Sequence, residues 1–137
     1  MVGRYQFALA EDRQAIDRLT QDSVIEYMSS TYPNAKVAAI LEGDKIVGKM
    51  IFQIREAMRI EYIEANKEAT KDFVAKYGRT LAEEIVAQCI KKYGVKKIKW
   101  FKLQPDGDTA IRRAAEKGYV RNLGGLRQRS QISQNQY

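Results

Sequence analysis

The stretch TLAEEIVAQCIKKYG, residues 80–94, decides the fold because it connects two predicted strands of one sheet. Its apolar residues recur at helical spacing and stop at Gly94, which is typical of a helix that packs on a sheet by one face. The flanking segments MRIEYIEA (58–65) and VKKIKWFKLQ (95–104) have the apolar content of strands. Since strands joined by such a crossover run parallel, we expect a parallel pair here.

The residues just before this helix leave two alternatives open. Phe73, Val74 and Tyr77 continue the apolar stripe backwards, which favours one helix from about residue 69 through Gly78 to its end. A glycine inside a helix costs about 1 kcal/mol relative to alanine, which favours a break instead. The segment AKYGRT (75–80) is then either part of one long helix or a loop that precedes a shorter one.

The rest of the chain supplies the remaining elements of a mixed α/β sheet. The segment 4–10 alternates like a half-buried strand, and 11–30 changes to helical spacing. Residues 36–56 read as a β-hairpin around EGDK. A helix at 109–117 and a final strand or hairpin complete the order β-α-β-β-β-α-β-α-β. We expect one domain, residues 1–130, and a polar, frayed tail, 131–137.

Composition limits the class of protein. With 137 residues, 45% apolar and 30% charged, the chain resembles a soluble globular domain. No apolar run is long enough to span a membrane, and the start MVGRYQFALAEDR lacks the apolar core of a secretory signal. The single Cys89 cannot form an internal disulfide, which fits a reducing compartment. We therefore expect a cytoplasmic protein without membrane association.

The absence of histidine narrows the chemistry. It excludes His-dependent catalytic triads and the common His metal ligands. With one cysteine as well, we expect no metal site. Proton transfer would therefore depend on Glu, Asp, Tyr or Lys.

Charge is distributed unevenly along the chain. Residues 1–70 carry nine Lys/Arg against eleven Asp/Glu, whereas residues 71–137 carry fifteen against six. A basic half fits an anionic partner such as a phosphate-bearing cofactor, a nucleic acid or an acidic protein. A solvated basic face without a partner is the alternative.

Three segments, in this order along the chain, resemble the GNAT superfamily of N-acetyltransferases: YQFALAEDRQAI (5–16), LEGDKIVGKMIF (41–52) and AIRRAAEKGYV (110–120). The resemblance covers nearly the whole chain and implies a single GNAT-like α/β domain. It also implies transfer of an acetyl group from acetyl-CoA to an amine by direct attack in a ternary complex. The sequence does not identify the amine.

The resemblance also implies a cofactor site. In GNAT proteins a loop of the form Q/R-x-x-G-x-G/A opens the central helix, and its N–H groups bind the pyrophosphate of acetyl-CoA. Here the best match is AKYGRT, in which Gly78 fits while Ala75 and Thr80 depart from the pattern. We expect Arg79 to be exposed and to add a cation. The implied phosphate ligands are Tyr77, Gly78, Arg79 and Thr80, with Arg113 near the 3′-phosphate of CoA.

The implied catalytic residues lie on the strand 58–65. In the family this strand borders a split in the sheet that holds the pantetheine arm, so Glu61 or Glu64 would be the general base. The backbone from Ile63 to Ala65 would hold the thioester. The alternative is that both glutamates are ordinary solvent-facing residues of an alternating strand.

One departure from the family raises the question of activity. Many GNAT enzymes have a tyrosine four residues before the glycine of the last motif, where it protonates the departing thiolate. Counting back from Gly118 gives Ala114. The alternatives are therefore an inactive GNAT-like binding or structural protein, such as the small internal virion proteins of some tailed phages, and a nucleic-acid-associated module that uses the basic half.

Overall fold

A five-stranded sheet in the order β1-β2-β3-β4-β5 forms the centre of the protein. The computed structural model describes residues 4–19, 23–32, 34–100 and 112–113. The antiparallel strands are β1 (Tyr5–Ala10), β2 (Lys36–Glu42), β3 (Lys45–Ile54) and β4 (Met58–Ala65). The strand β5 (Ile98–Trp100) pairs in parallel with β4, as the crossover predicted.

Four helices accompany the sheet in the described part of the chain: α1 (Arg13–Leu19), α2 (Ser23–Thr31), α3 (Lys67–Tyr77) and α4 (Leu81–Tyr93). Where the sequence predicted one helix over 11–30, the structure describes two, α1 and α2, and residues 20–22 lie outside the described residues. Leu19 of α1 and Ile25 of α2 are both buried in the core on this face of the sheet.

The two faces of the sheet have separate cores. One lies between the sheet and the crossover helices α3 and α4, with Phe52, Phe73 and Ile85 among its buried side chains. The other lies under α1 and α2 and includes Ile25 and Ile51. Because the strands are covered on both faces, the hairpin 36–56 is apolar with little alternation.

A β-bulge in β4 decides which side chains of that strand share a face. The register passes from Ile51↔Tyr62 to Phe52↔Ile60, which leaves Glu61 as the extra residue. Ile60 and Ile63 therefore both contact the core under α4, whereas Tyr62 packs against the core under α1 and α2. The bulge shifts the alternation by one residue just before the strand ends.

The helix α4 packs closely on the sheet at Gly48 of β3. A Cβ atom at Gly48 would lie 3.0 Å from Ile85 Cδ1, 3.6 Å from Leu81 Cβ and 3.9 Å from Ala65 Cβ. A larger side chain there would push the helix away from the strand. The first turn of α4 is thus packed against the carboxyl end of β4.

The chain breaks between α3 and α4, so the continuous helix over 69–94 is wrong. The predicted loop 75–80 is right only in part, because residues 75–77 still belong to α3 and the break is residues 78–80. Gly78 has φ 73° and ψ 13°, a left-handed conformation that ends α3, and its N–H donates to the Val74 carbonyl. Thr80 is extended and caps α4 through a capping box with Glu83. The signal for this start is present in the sequence as T-x-x-E.

The helix α3 is tied to the edge strand β1. The Tyr5 hydroxyl donates to the Asp72 carboxylate, and the Tyr5 ring meets Phe73 edge-on at 5.4 Å between centroids. Arg4 and Lys76 approach the same carboxylate, at 3.6 Å and 3.4 Å. The helix α3 thereby covers the edge strand β1 on the same face of the sheet as α4.

Several predictions fall outside the described residues. These are the part of the last predicted strand beyond Trp100, the final hairpin, Ala114 and the tail. Arg112 and Arg113 are helical, within the helix predicted at 109–117.

Gly78→Ala should distinguish the two helix alternatives by the sign of its effect. In a continuous helix alanine would add about 1 kcal/mol of stability. In the left-handed turn it should instead cost about 1–2 kcal/mol, because a Cβ atom crowds the backbone there. Urea unfolding measures the difference, and Gly78→Asn, which tolerates this conformation better, should cost less. A stabilised Gly78→Ala variant would contradict the break.

The bond from Tyr5 to Asp72 should make stability depend on pH at both extremes. Burial, and then this bond, raise the pKa of Tyr5 to about 12, and the same bond lowers the pKa of Asp72. The Asp72 contribution is present above its ordinary pKa of 3.8 and is lost on acidification. The Tyr5 contribution is present below pH 10 and is lost as the pH rises towards 12.

Tyr5→Phe should therefore lower the free energy of unfolding most near neutral pH, and the deficit should shrink towards both extremes. Urea unfolding across the pH range measures it. Tyr27→Phe is the matched control, because the Tyr27 side chain is 70% exposed and should give no such profile. A deficit for Tyr5→Phe that does not change with pH would contradict the assignment.

Candidate functional site

The carboxyl end of β4, the start of β3 and the first turn of α4 meet at one end of the sheet. A cavity of about 190 Å³ opens there, and its lining includes Gly48, Lys49, Glu64, Ala65 and Asn66. The Asn66 N–H donates to the Val47 carbonyl at 2.8 Å. The wall of the cavity is therefore formed by the start of β3, the end of β4 and Asn66, which is the N-cap of α3.

Glu64 is the carboxylate of this cavity. It pairs across the strands with Lys49, and its carboxylate lies 3.3 Å from Lys49 Nζ. The Tyr62 hydroxyl donates to Glu64 Oε1 at 2.9 Å. The Glu64 side chain is 49% exposed, so solvent and a ligand can both reach it.

Glu61, the second predicted base, has a more enclosed environment. Its side chain is 5% exposed and accepts a hydrogen bond from Gln53 Nε2 at 2.7 Å. Arg59 Nε lies 3.9 Å away. Because Glu61 is the bulged residue, its position follows from the shifted register rather than from regular alternation.

The backbone predicted to hold the thioester is the last part of β4. Ile63 pairs with Met50, and Ala65 pairs with Gly48, so this segment continues the ladder with β3 to the strand end. On the other side, the described pairing with β5 runs from Met58↔Ile98 to Ile60↔Trp100. A split of the two strands beyond that point would involve residues past Trp100, and it stays a prediction.

Arg79 lies between α3 and α4 and faces inward. Its Nε is 2.5 Å from Glu84 Oε1, and its Nη1 donates to the Tyr77 carbonyl at 3.2 Å. The Arg79 side chain is 10% exposed, and that of Glu84 is fully buried, so the expected exposure of Arg79 is wrong. A buried carboxylate requires a nearby cation, and Arg79 supplies it. Within the described residues, the buried Nη2 of Arg79 has no hydrogen-bond partner.

Two of the N–H groups at the start of α4 already donate to side chains of the same turn. The Glu83 N–H donates to Thr80 Oγ1 at 3.1 Å, and the Thr80 N–H donates to Glu83 Oε1 at 3.4 Å. The N–H groups of Leu81 and Ala82 have no acceptor within the helix. Arg113 Nη1 approaches Glu83 Oε1 at 3.8 Å, and its side chain is 57% exposed.

The structure thus brings the predicted phosphate ligands together at the start of α4. Sequence reasoning missed Lys49, Gln53, Glu83 and Glu84. Glu83 could have been found from the capping box T-x-x-E, whereas the role of Glu84 depends on its contact with Arg79. Gln53 and Lys49 could not, because their roles depend on the register of β3 against β4.

No protein-family model matches the sequence, and no curated protein matches it. Solved structures do. An aminoglycoside acetyltransferase from an uncultured soil metagenomic sample is 14% identical, with a TM-score of 0.52 over 82% of this chain and 88% of that one. A ribosomal-protein-alanine N-acetyltransferase from Brucella melitensis biovar Abortus 2308 is also 14% identical, with a TM-score of 0.51 over 80% and 89%.

The protein has a divergent GNAT-like fold. The predicted resemblance and the predicted α/β class are therefore confirmed. Two helices, α3 and α4, connect β4 to β5, and α4 is the one that packs on the central strands β2, β3 and β4.

The described residues contain neither a helix that could span a membrane nor a cluster of metal ligands. No helix of residues 4–19, 23–32, 34–100 and 112–113 is long and apolar enough to cross a membrane. The same residues contain no group of three or more Cys, Asp or Glu side chains arranged to hold a metal ion.

Removal of one partner of the buried pair Arg79–Glu84 should lower the free energy of unfolding. Arg79→Met leaves the Glu84 carboxylate buried without its cation, which typically costs about 3–5 kcal/mol. The double variant Arg79→Met/Glu84→Gln should cost less than the sum of the single changes, because neither charge then remains alone. Urea unfolding of all four proteins measures the coupling. Additive effects would show that the two side chains do not interact.

Proposed function

We propose that the protein transfers an acetyl group from acetyl-CoA to an amine. One observation carries the proposal: the start of α4 is packed against the carboxyl end of β4, beside the cavity that contains Glu64. In α/β proteins anionic ligands bind where strand ends meet helix starts, because the helix N-terminus offers free N–H groups and positive potential. The acetyltransferase neighbours in fold make acetyl-CoA the preferred ligand.

The residues at the start of α4 fit a diphosphate. The N–H groups of Leu81 and Ala82 lack acceptors within the helix, and the neighbouring Arg79 guanidinium adds positive charge although it is largely buried. Aligned with this helix start, the family pattern Q/R-x-x-G-x-G/A would run from Tyr77 to Ala82, two residues later than the sequence suggested. In that alignment Ala82 fits the pattern, whereas Tyr77 and Thr80 depart from it. Gly78 and Thr80 then form the turn, and the exposed Arg113 would meet a more distant phosphate.

Glu64 is the better candidate for the base, and Glu61 for a positioning residue. Glu64 is half-exposed and lines the cavity, so it can accept a proton from an incoming ammonium group, directly or through water. The amine nitrogen then attacks the thioester carbon, and the carbon–sulfur bond breaks. Coenzyme A leaves as the thiolate. Glu61, nearly buried, would hold Gln53 and Arg59 instead.

The backbone from Ile63 to Ala65 would orient the thioester at the end of β4. With alanine at position 114, no tyrosine stands at the family's acid position, so the thiolate would leave with help from water. Loss of one positioned acid typically costs about 10²–10⁴-fold in rate, and we expect slow turnover. The proposal places the reaction in the cytoplasm.

Glu64→Gln should lower the rate of acetyl transfer about 100-fold or more while leaving acetyl-CoA affinity unchanged, because the amide cannot take the proton. The rate is measured as thiol release from acetyl-CoA with a panel of small amines, polyamines and peptides, and the affinity by calorimetry. Glu61→Gln tests the positioning role, and Glu56→Gln, an exposed glutamate in the β3–β4 turn, is the matched control. Equal rates in Glu64→Gln and Glu56→Gln would contradict the assignment of the base.

A second function, that of a GNAT-like binding or structural protein without chemistry, is favoured by the capping of α4. Glu83 and Glu84 place two carboxylates in the first turn, where a phosphate would otherwise bind, and both are buried. A phage virion component would be one such protein. Absence of acetyl-CoA binding in calorimetry, with the protein folded, would favour this second function over the first.

A further inference from the structure

We propose that the face of the sheet formed by β4 and β5, on the side of α1 and α2, binds the phosphate backbone of a nucleic acid. The residues that carry this proposal form a cationic patch: Arg55, Arg59, Lys97 and Lys99. The patch lies outside the cavity at the end of β4, and its proposed role does not depend on acetyl transfer.

The position of the patch follows from the packing of the helices. The helix α1 packs on β1, and α2 packs on β2 and β3. On β5, Ile98 and Trp100 contact the core under α4, so Lys99 between them points to the opposite face. Arg59 is its register partner on β4. The side chains of Arg59 and Lys99 are therefore neighbours on the face that α1 and α2 leave exposed.

The other two cations lie at the start of these strands. The Lys97 carbonyl accepts a hydrogen bond from the Met58 N–H at 2.9 Å, which fixes Lys97 beside the first residue of β4. Arg55 lies in the turn between β3 and β4, where its N–H donates to the Ala57 carbonyl. All four cations are exposed. Neighbouring strands lie about 4.8 Å apart and alternate residues about 6.6 Å apart, so one polyanion can meet several of them.

Few carboxylates oppose this charge. Glu61 lies 3.9 Å from Arg59, but its side chain is 5% exposed and accepts from Gln53. Glu56 is exposed in the same turn as Arg55. Among the residues that the structure describes, no Asp or Glu forms an ion pair with Arg55, Lys97 or Lys99. The patch therefore keeps a positive potential towards solvent.

The chemistry of the patch favours a nucleic acid over an acidic protein. Protein interfaces depend on apolar or aromatic anchors that become buried. The exposed large hydrophobic side chains of the described chain are Tyr27 on α2 and Val74 on α3, and neither lies in the patch. Binding to a phosphate backbone needs only cations, and its free energy comes largely from the release of counterions.

The test compares two double variants that remove the same charge from different surfaces. Lys97→Gln/Lys99→Gln changes the patch, whereas Lys67→Gln/Lys71→Gln changes exposed lysines on α3. Fluorescence anisotropy measures binding of a labelled oligothymidine and of a duplex of the same length, as a function of salt. Thermal unfolding confirms that each variant is folded, and Arg55→Gln/Arg59→Gln provides a second change to the patch.

The wild-type protein should bind in a salt-dependent manner. Loss of two phosphate contacts should reduce the salt slope by about 1.4 for the single strand, which lowers affinity about 25-fold at about 0.1 M salt. The α3 variant should bind like the wild type. No binding by the wild type at low salt, or equal losses in both double variants, would overturn the proposal. Displacement of the oligonucleotide by polyglutamate at the same charge concentration would also overturn it, because the partner would then be an acidic polypeptide.

Discussion

The contact of α4 with the sheet at Gly48 is the constraint on which the rest of the structure depends. With no side chain on Gly48, Ile85 reaches within 3.0 Å of where a Cβ atom would be. This contact sets the height of α4 above β3 and brings its first turn to Ala65 at the end of β4. Without it, the start of α4 would not lie next to the strand residues Gly48 and Ala65, which line the cavity.

The bulge at Glu61 has a comparable effect on the opposite face. In a regular strand Tyr62 would share the face of Ile60, and Glu61 that of Ile63. The extra residue instead places Arg59, Tyr62 and Glu64 on the side of α1 and α2 while Ile60 and Ile63 both stay in the core under α4. Glu64 at the end of β4 is thus accessible to solvent while the apolar side chains of the strand keep their contacts with the core. Bulges near functional sites commonly redirect side chains in this way.

The sequence predicted the parts of the fold that depend on local pattern. The hairpin 36–56, the strand 58–65 and the parallel pairing of β4 with β5 agree with the structure, because apolar content and a crossover helix determine them. The single helix predicted over 11–30 corresponds to two described helices, α1 and α2. The burial of Arg79 could not be predicted, since it depends on the turn at Gly78 bringing the guanidinium to Glu84. The candidate carboxylates of β4 were found through the family resemblance of that strand, but their unequal exposure accompanies the bulge, which no local pattern encodes.

The two proposed functions, acetyl transfer and binding without chemistry, differ in whether a phosphate binds at the start of α4. The interaction energies of the groups at this helix start limit how a phosphate could bind. An anion at a helix N-terminus gains typically 0.3–1 kcal/mol, and up to about 2 kcal/mol when partly buried. Separating the buried pair of Arg79 and Glu84 would cost about 3–5 kcal/mol. A phosphate therefore cannot displace Glu84 from Arg79 and must bind beside the intact pair. It would use the N–H groups of Leu81 and Ala82, which the capping box leaves without partners within the helix. The same pair thus stabilises the fold under both functions, and the difference between an acetyltransferase and a binding protein lies in whether the groups beside it accept a phosphate.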